Sequence, residues 1–207
     1  MRRTVRPGGD AGVGLVELLV GMVVGSLVLT VLAAVYMTSL RTTAVVTAKA
    51  STTQDVALAA DVIARRLRVA VPLTEAQPAV VVMEPRRVSI YASLAAASAP
   101  AVDPVPTLVT YQYDGPSRCL VESLVQGTGS APPYSYTSAP RTTCLLRGDI
   151  NGGAAMFKYY ATAEGGSPTT SAADVRSVDV VLAVTQESGP GSAATRAGAR
   201  AVLENVR

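Results

Sequence analysis

Gly12-Val13-Gly14-Leu15-Val16-Glu17-Leu18-Leu19-Val20 opens the long apolar stretch of this chain. Glu17 is its only charge, and from Leu18 to Leu40 no Asp, Glu, Lys or Arg occurs. A helix needs about 20 apolar residues to cross a hydrocarbon core of about 30 Å, and this run suffices. A carboxylate at the edge of such a segment opposes insertion, by roughly 2.5–3.5 kcal/mol at the helix centre and less near the end. Glu17 therefore needs a partner or water to receive its charge, and the reason for its presence bears on function.

The flanks orient the segment. Residues 1–12 carry Arg2, Arg3 and Arg6 against one acid, Asp10, and basic residues ahead of a span hold that end in the cytoplasm. Within the run Gly21 and Gly25 form a G-x-x-x-G pair. Such a pair permits close helix packing in lipid, and it also reads as ordinary small residues of a membrane helix.

From Arg41 to Val71 the chain contains neither Gly nor Pro, and Pro72 supplies the break. Val56, Ala59, Ala60, Ile63, Leu67, Ala70 and Val71 recur at helical spacing as one apolar face. Asp55, Asp61, Arg65, Arg66 and Arg68 fall off that face, as do Leu58, Val62 and Val69. Asp61 and Arg65 stand four apart, acid first, a favourable surface pair. One helix over Val13–Val71 is the expectation. The alternative is an anchor and a separate domain helix, with a break near Thr42–Thr43, because threonine is a weak helix former.

After Pro72 the pattern turns to short strands: Ala79–Glu84, Arg87–Ala92, Thr107–Tyr113, Cys119–Val125, Cys144–Arg147, Met156–Ala161, Val175–Val184 and Arg200–Val206. Asp114-Gly115-Pro116-Ser117 joins two of them as a hairpin turn. Ala92–Pro106 and Gly127–Arg141 read as loops, and a Gly/Ser/Ala loop precedes the last strand. Strands that follow one long helix, without further alternation of helices, predict an α+β fold: an antiparallel sheet packed on the helix. The expected organisation is a leader (residues 1–12), a transmembrane or assembly helix (13–40), its amphipathic continuation (41–71) and a β-rich globular domain (72–207).

The motif of Gly12, an apolar residue, and Leu15-Val16-Glu17-Leu18-Leu19-Val20 resembles the processing site of type IV prepilins and type II secretion pseudopilins. Val13 stands where that family usually has Phe, Gly14 where it has Thr or Ser, and Ala34 where it has a mid-membrane proline. The resemblance implies cleavage by a prepilin peptidase between Gly12 and Val13 and N-methylation of Val13. Glu17 would set the register of each subunit among other pilins in a helical fibre. The hairpin strand Val109-Thr110-Tyr111-Gln112-Tyr113-Asp114-Gly115, the aromatic Phe157-Lys158-Tyr159-Tyr160, the aliphatic Val178-Asp179-Val180-Val181-Leu182 and the closing Leu203-Glu204-Asn205-Val206 are similar to W-type minor pilins and J-type pseudopilins. These likenesses imply a bacterial, single-pass protein of the cytoplasmic membrane, its N-terminus inside and its domain outside, that enters a pilus or pseudopilus.

The rival is an ordinary signal or anchor carrying a secreted or tethered extracellular binding domain. Val31-Leu32-Ala33 would then be its cleavage site. A conventional apolar core rarely opens on a carboxylate, and this run is long for one.

Composition narrows the chemistry. The formal net charge is +3, and the leader holds most of it. Lys49 and Lys158 are the only lysines, and abundant Ala, Val and Gly with Arg in place of Lys is the usage of a GC-rich bacterial genome. Histidine is absent, which removes His-based acid–base catalysis and His-built zinc sites. No nucleophile–base pair stands out, so the expectation is a structural subunit, not an enzyme, with no cofactor and no metal. Asp149, Asn151 and Asp174 offer oxygens for calcium, but Asn151-Gly152 reads more simply as a hairpin turn. Tyr111, Tyr113, Tyr134, Tyr136, Tyr159 and Tyr160 offer rings for stacking on DNA. Only Arg118, Arg141, Arg147 and Lys158 lie nearby in sequence, and packing within the sheet is the simpler use.

Cys119 and Cys144 are the only cysteines. Outside the cytoplasm an even count favours a disulfide. It would close a loop of about 25 residues and stabilise the domain by roughly 3–4 kcal/mol. Two buried free thiols are the other reading.

Overall fold

The computed structural model describes residues 14–74, 76–94, 105–129, 131–186 and 193–206. They fall in two compact units, Met1–Thr47 and Ala48–Arg207. The leader, Gly12 and Val13 lie outside the described residues.

Helix α1 covers Leu15–Arg68. Its threonine-rich middle is helical, and no break occurs at Thr42–Thr43. The hydroxyls of Thr38, Thr42, Thr43, Thr52 and Thr53 donate to carbonyls four residues back, at 2.8–3.0 Å. Ser26, Thr30 and Ser51 do the same over three or four residues. These hydroxyls thus find their partners within the helix itself, on carbonyls one turn back.

In the second unit α1 buries Val56, Ala59, Ala60, Ile63, Ala64 and Leu67. This is the apolar stripe the spacing predicts as far as Leu67, with Ala64 added; Ala70 is buried beyond the end of the helix, and Val71 there is half-buried. Each fully buried Ile or Leu contributes about 1.5–3 kcal/mol. Leu58 stays 57% exposed and Val69 38%, as their off-face positions require. Asp61 and Arg65 form the expected pair at 3.0 Å, well exposed and worth about 0.3–0.5 kcal/mol.

The strands form two antiparallel sheets where the sequence predicts one. Sheet 1 contains β1 (Val80–Glu84), β2 (Arg87–Ala92), β3 (Thr107–Asp114), β4 (Cys119–Gln126) and β5 (Arg141–Arg147), paired in chain order. Sheet 2 contains β6 (Phe157–Tyr160), β7 (Ser177–Gln186) and β8 (Ala193–Val202), again in chain order. The β1–β2 turn ties them together: the Pro85 carbonyl accepts the N–H groups of Met156 (2.7 Å) and Phe157 (3.2 Å). Val56, Ile63 and Leu67 of α1 share one core cluster with Val88, Ile90, Val109 and Leu120 of sheet 1 and Phe157, Val178, Val180 and Leu182 of sheet 2. The β7 alternation of Val178, Val180, Leu182 and Val184 is buried as predicted.

Several boundaries differ from expectation, three of them by enough to matter for the fold. The helix ends at Arg68, not Val71. Ala70 already bridges Ala92, and the Val71 N–H donates to the Tyr91 carbonyl at 2.8 Å. The chain thus becomes extended ahead of Pro72, as a residue before proline prefers. Strand β5 begins at Arg141 inside the expected loop, because Arg141 to Thr143 pair with Leu124 to Glu122. Strand β8 begins at Ala193 rather than Arg200 and ends at Val202 rather than Val206, in register with β7 along its whole length. Its Ala- and Gly-rich first half has weak strand propensity, and tertiary pairing overrides it.

Candidate functional site

The first unit offers a helix apolar on every side. It is long and apolar enough to cross a membrane, and none of its most apolar stretch is buried. Leu15 is 80% exposed, and Leu18, Val23, Leu27, Leu32 and Val35 all exceed one half. A helix that is apolar all round belongs in lipid or among other helices. Glu17 sits in the first turn, its N–H donating to the Gly14 carbonyl at 2.9 Å. A carboxylate there complements the positive end of the helix dipole. Gly21 and Gly25 present bare backbone: a Cβ built at either meets nothing within 4 Å.

In the second unit Cys119 and Cys144 form a disulfide with Cα atoms 5.9 Å apart, inside the usual range. Cys119 opens β4, as expected, while Cys144 lies mid-strand in β5. The β4–β5 register shifts between Leu120 and Val121, which brings Cys144 opposite Val121, diagonal to Cys119. The bridge therefore staples an edge strand to its neighbour and closes the segment that contains Pro132 and Pro133. Replacing both cysteines with Ser is expected to lower the stability of the second unit by roughly 3–4 kcal/mol. Urea unfolding of the full chain with and without reductant measures it; a reductant-insensitive midpoint would contradict the bridge.

Tyr111 is buried, Tyr113, Tyr134, Tyr136, Tyr159 and Tyr160 are half-buried, and Tyr160 lies under the Arg200 guanidinium, 5.5 Å from its ring centre. The Tyr111 hydroxyl donates to Glu122 Oε1 at 2.8 Å, and the same oxygen forms an ion pair with Arg66 Nε of α1 at 3.1 Å. This buried group links helix, β3 and β4. Burial, then the Glu122 charge, pushes the Tyr111 phenol well above its ordinary value. Tyr159 donates to the carbonyls of Glu84 and Arg87, at 3.0 and 3.2 Å, and burial raises its phenol as well. Tyr113 lies under the Arg86 guanidinium, 4.4 Å from its ring centre. Tyr136 stacks against Tyr91 at 5.2 Å; burial, with Tyr91 nearby, pushes it up to about 12. Glu122 is absent from the sequence reading. Its signal was present: an acid at the inward position between Leu120 and Leu124.

Asn151 and Gly152 do form a tight turn, closed by the Ala154 N–H on the Asn151 carbonyl at 2.9 Å, but β5 and β6 on either side lie in different sheets, so it is not a hairpin. The φ of Asn151 is +60°, and its amide reaches β7: Nδ2 donates to the carbonyls of Val181 (2.8 Å) and Ala155 (2.9 Å), and Oδ1 accepts from the Ala183 N–H (2.6 Å). The side-chain oxygen is thus engaged by backbone. Among the described residues no group of three His, Cys, Asp or Glu side chains is placed to hold a metal ion. On the outer face of sheet 2, Arg200 grips Asp179 through Nε (2.6 Å) and a terminal nitrogen (2.9 Å), and these hydrogen bonds hold the Asp179 carboxyl below its ordinary value.

A groove of about 650 Å³ is lined by Leu58, Val62, Leu146 and Val184, with Asp55 and Arg147 as its charged residues. No protein-family model matches the chain, and no curated protein matches it either.

Proposed function

We propose that this chain is a pilin-like structural subunit, cleaved by a prepilin peptidase and assembled from the membrane into a type IV pilus or a type II secretion-like pseudopilus. One observation carries the reading: a helix exposed and apolar around its circumference, with a single carboxylate in its first turn. A lone anchor has no need of that acid, and a fibre of packed helices has a use for it. The bilayer would store the subunit. Assembly would transfer the apolar helix from lipid to a bundle of like helices, where Glu17 meets the N-terminal amine of a neighbour. In a dry interior that attraction is far stronger than in water, so it sets register. The arginines of residues 1–12 support an N-terminus inside the cell, and the disulfide supports an oxidising location for the second unit.

Mass spectrometry of protein isolated from its native cell tests the reading. The mature N-terminus is expected at Val13, carrying an added methyl group, and Gly12→Asp is expected to retain the leader. A mature start at Ala34, or an intact Met1 alongside an active prepilin peptidase, would replace this reading with the ordinary-signal one.

A further inference from the structure

β8 is the last strand of sheet 2, ten residues long and paired to β7 with no register shift. The other edge strands described are shorter, and β1 and β5 are also interrupted by irregularities. Two hydrogen bonds fix which backbone groups of β8 face outward. The Leu203 N–H donates to the Arg176 carbonyl at 2.9 Å. Alternation along an antiparallel ladder then turns the N–H and C=O of residues 194, 196, 198 and 200 away from β7. The Arg200 carbonyl independently confirms it by accepting from Arg68 of α1 at 3.4 Å. Arg68 thus covers the C-terminal end of the edge, while the outward groups of Ala194, Arg196 and Gly198 have no hydrogen-bond partner among the described residues.

The other side of β7 is treated differently. Beyond β6 its edge is closed: Asn151 takes the outward groups of Val181 and Ala183, and Ile150 bridges Val184. The fold caps one ladder with an amide side chain and leaves the other open. Small residues at Ala194 and Gly198 leave room for a strand at the usual spacing of about 4.8 Å.

We propose that the open edge of β8 docks one extended, acid-bearing strand of a different polypeptide. The charge on β8 selects the occupant. Arg196 is exposed and forms no ion pair among the described residues, whereas Arg200 is already held by Asp179. A second copy fits poorly: any antiparallel self-pairing centred between Thr195 and Ala199 sets Arg196 opposite or diagonal to an arginine of the other copy, a repulsive arrangement. A strand with carboxylates on the Arg196 face completes both the ladder and the charge.

The test uses the full chain in detergent micelles and two end-capped, fluorescent ten-residue strands, one alternating Val and Glu, the other Val and Lys. The Val/Glu strand is expected to bind at least tenfold more tightly, and Arg196→Glu to invert the preference. Ala194→Pro removes an outward N–H and leaves the β7 ladder intact; it is expected to weaken binding at least fivefold, with amide exchange of β7 unchanged. Equal affinity for the two strands, no binding of either, or wild-type binding by Ala194→Pro would overturn the proposal. So would a dimer of the full chain that Ala194→Pro dissolves, since the occupant would then be a second copy.

Discussion

Glu17→Leu is expected to give a cleaved, membrane-resident subunit that is missing from sheared surface fibres. Insertion and assembly respond to this carboxylate with opposite signs. Insertion draws on the run Leu18–Leu40, and Glu17 opposes it, so the leucine variant should reach the membrane at least as well as the parent. Assembly, on the reading proposed above, buries the carboxylate against a neighbour's amine. Removing one partner leaves the other charge unpaired, a penalty of about 3–5 kcal/mol where the site is dry. That corresponds to a loss of more than a hundredfold in the association constant per contact. Glu17→Asp keeps the charge with a shorter reach and should be intermediate. Immunoblots of membrane and sheared-fibre fractions measure both quantities. Recovery of Glu17→Leu protein in fibres at the parental level would remove Glu17 from the register-setting role.

Glu122→Ala is expected to be the most damaging single substitution in the second unit. Its carboxylate is buried between Tyr111 and Arg66, and Tyr111 is fully buried. The alanine variant strands a phenol hydroxyl in the core, deprives a half-buried guanidinium of its counter-charge and opens a cavity. Together these should cost about 3–5 kcal/mol, or roughly 6–20 °C in Tm for a unit of this size. Glu122→Gln keeps an acceptor for Tyr111 and should lose less. Combining Glu122→Leu with Tyr111→Phe and Arg66→Leu should recover much of the loss, because an apolar trio of similar volume needs no partners. Thermal unfolding of the four proteins decides it. A shift below 2 °C for Glu122→Ala would mean that water reaches the site and the network contributes little.

The helix and most strands were legible because their signals are local. The stripe from Val56 to Leu67 carries the helical period, and β7 carries the strand period, each decided by burial on one side. The Asp114–Ser117 turn was legible too: Asp114 Oδ2 accepts the Ser117 N–H at 3.2 Å, a bond between near neighbours. What escaped was settled at a distance. β8 is a strand because β7 lies beside it, and nothing in Ala-Ala-Thr-Arg-Ala-Gly announces that partner. Asn151 was legible as a turn residue, but the partners of its side chain, Val181 and Ala183, lie some thirty residues away. The division into two sheets lies in β6 pairing with β7 and not with β5, a choice with no periodic trace. The candidate residues at the chain's start were legible as a motif; Gly12 and Val13 fall outside the described structure, and Glu17 is placed in the first turn of α1.

The serine and threonine hydroxyls of α1 carry a last consequence. A hydroxyl ordinarily gives a helix a preference among surroundings, since it finds a mate in water and none in hydrocarbon. Ser26, Thr30 and Thr38 bring their mates with them, as carbonyls one turn back. Transfer of this segment between oil, protein and water therefore breaks none of those bonds, and only the contacts of its apolar surface change hands. Such a helix is portable: Glu17 apart, it can be drawn from one medium into another with these hydroxyls still mated.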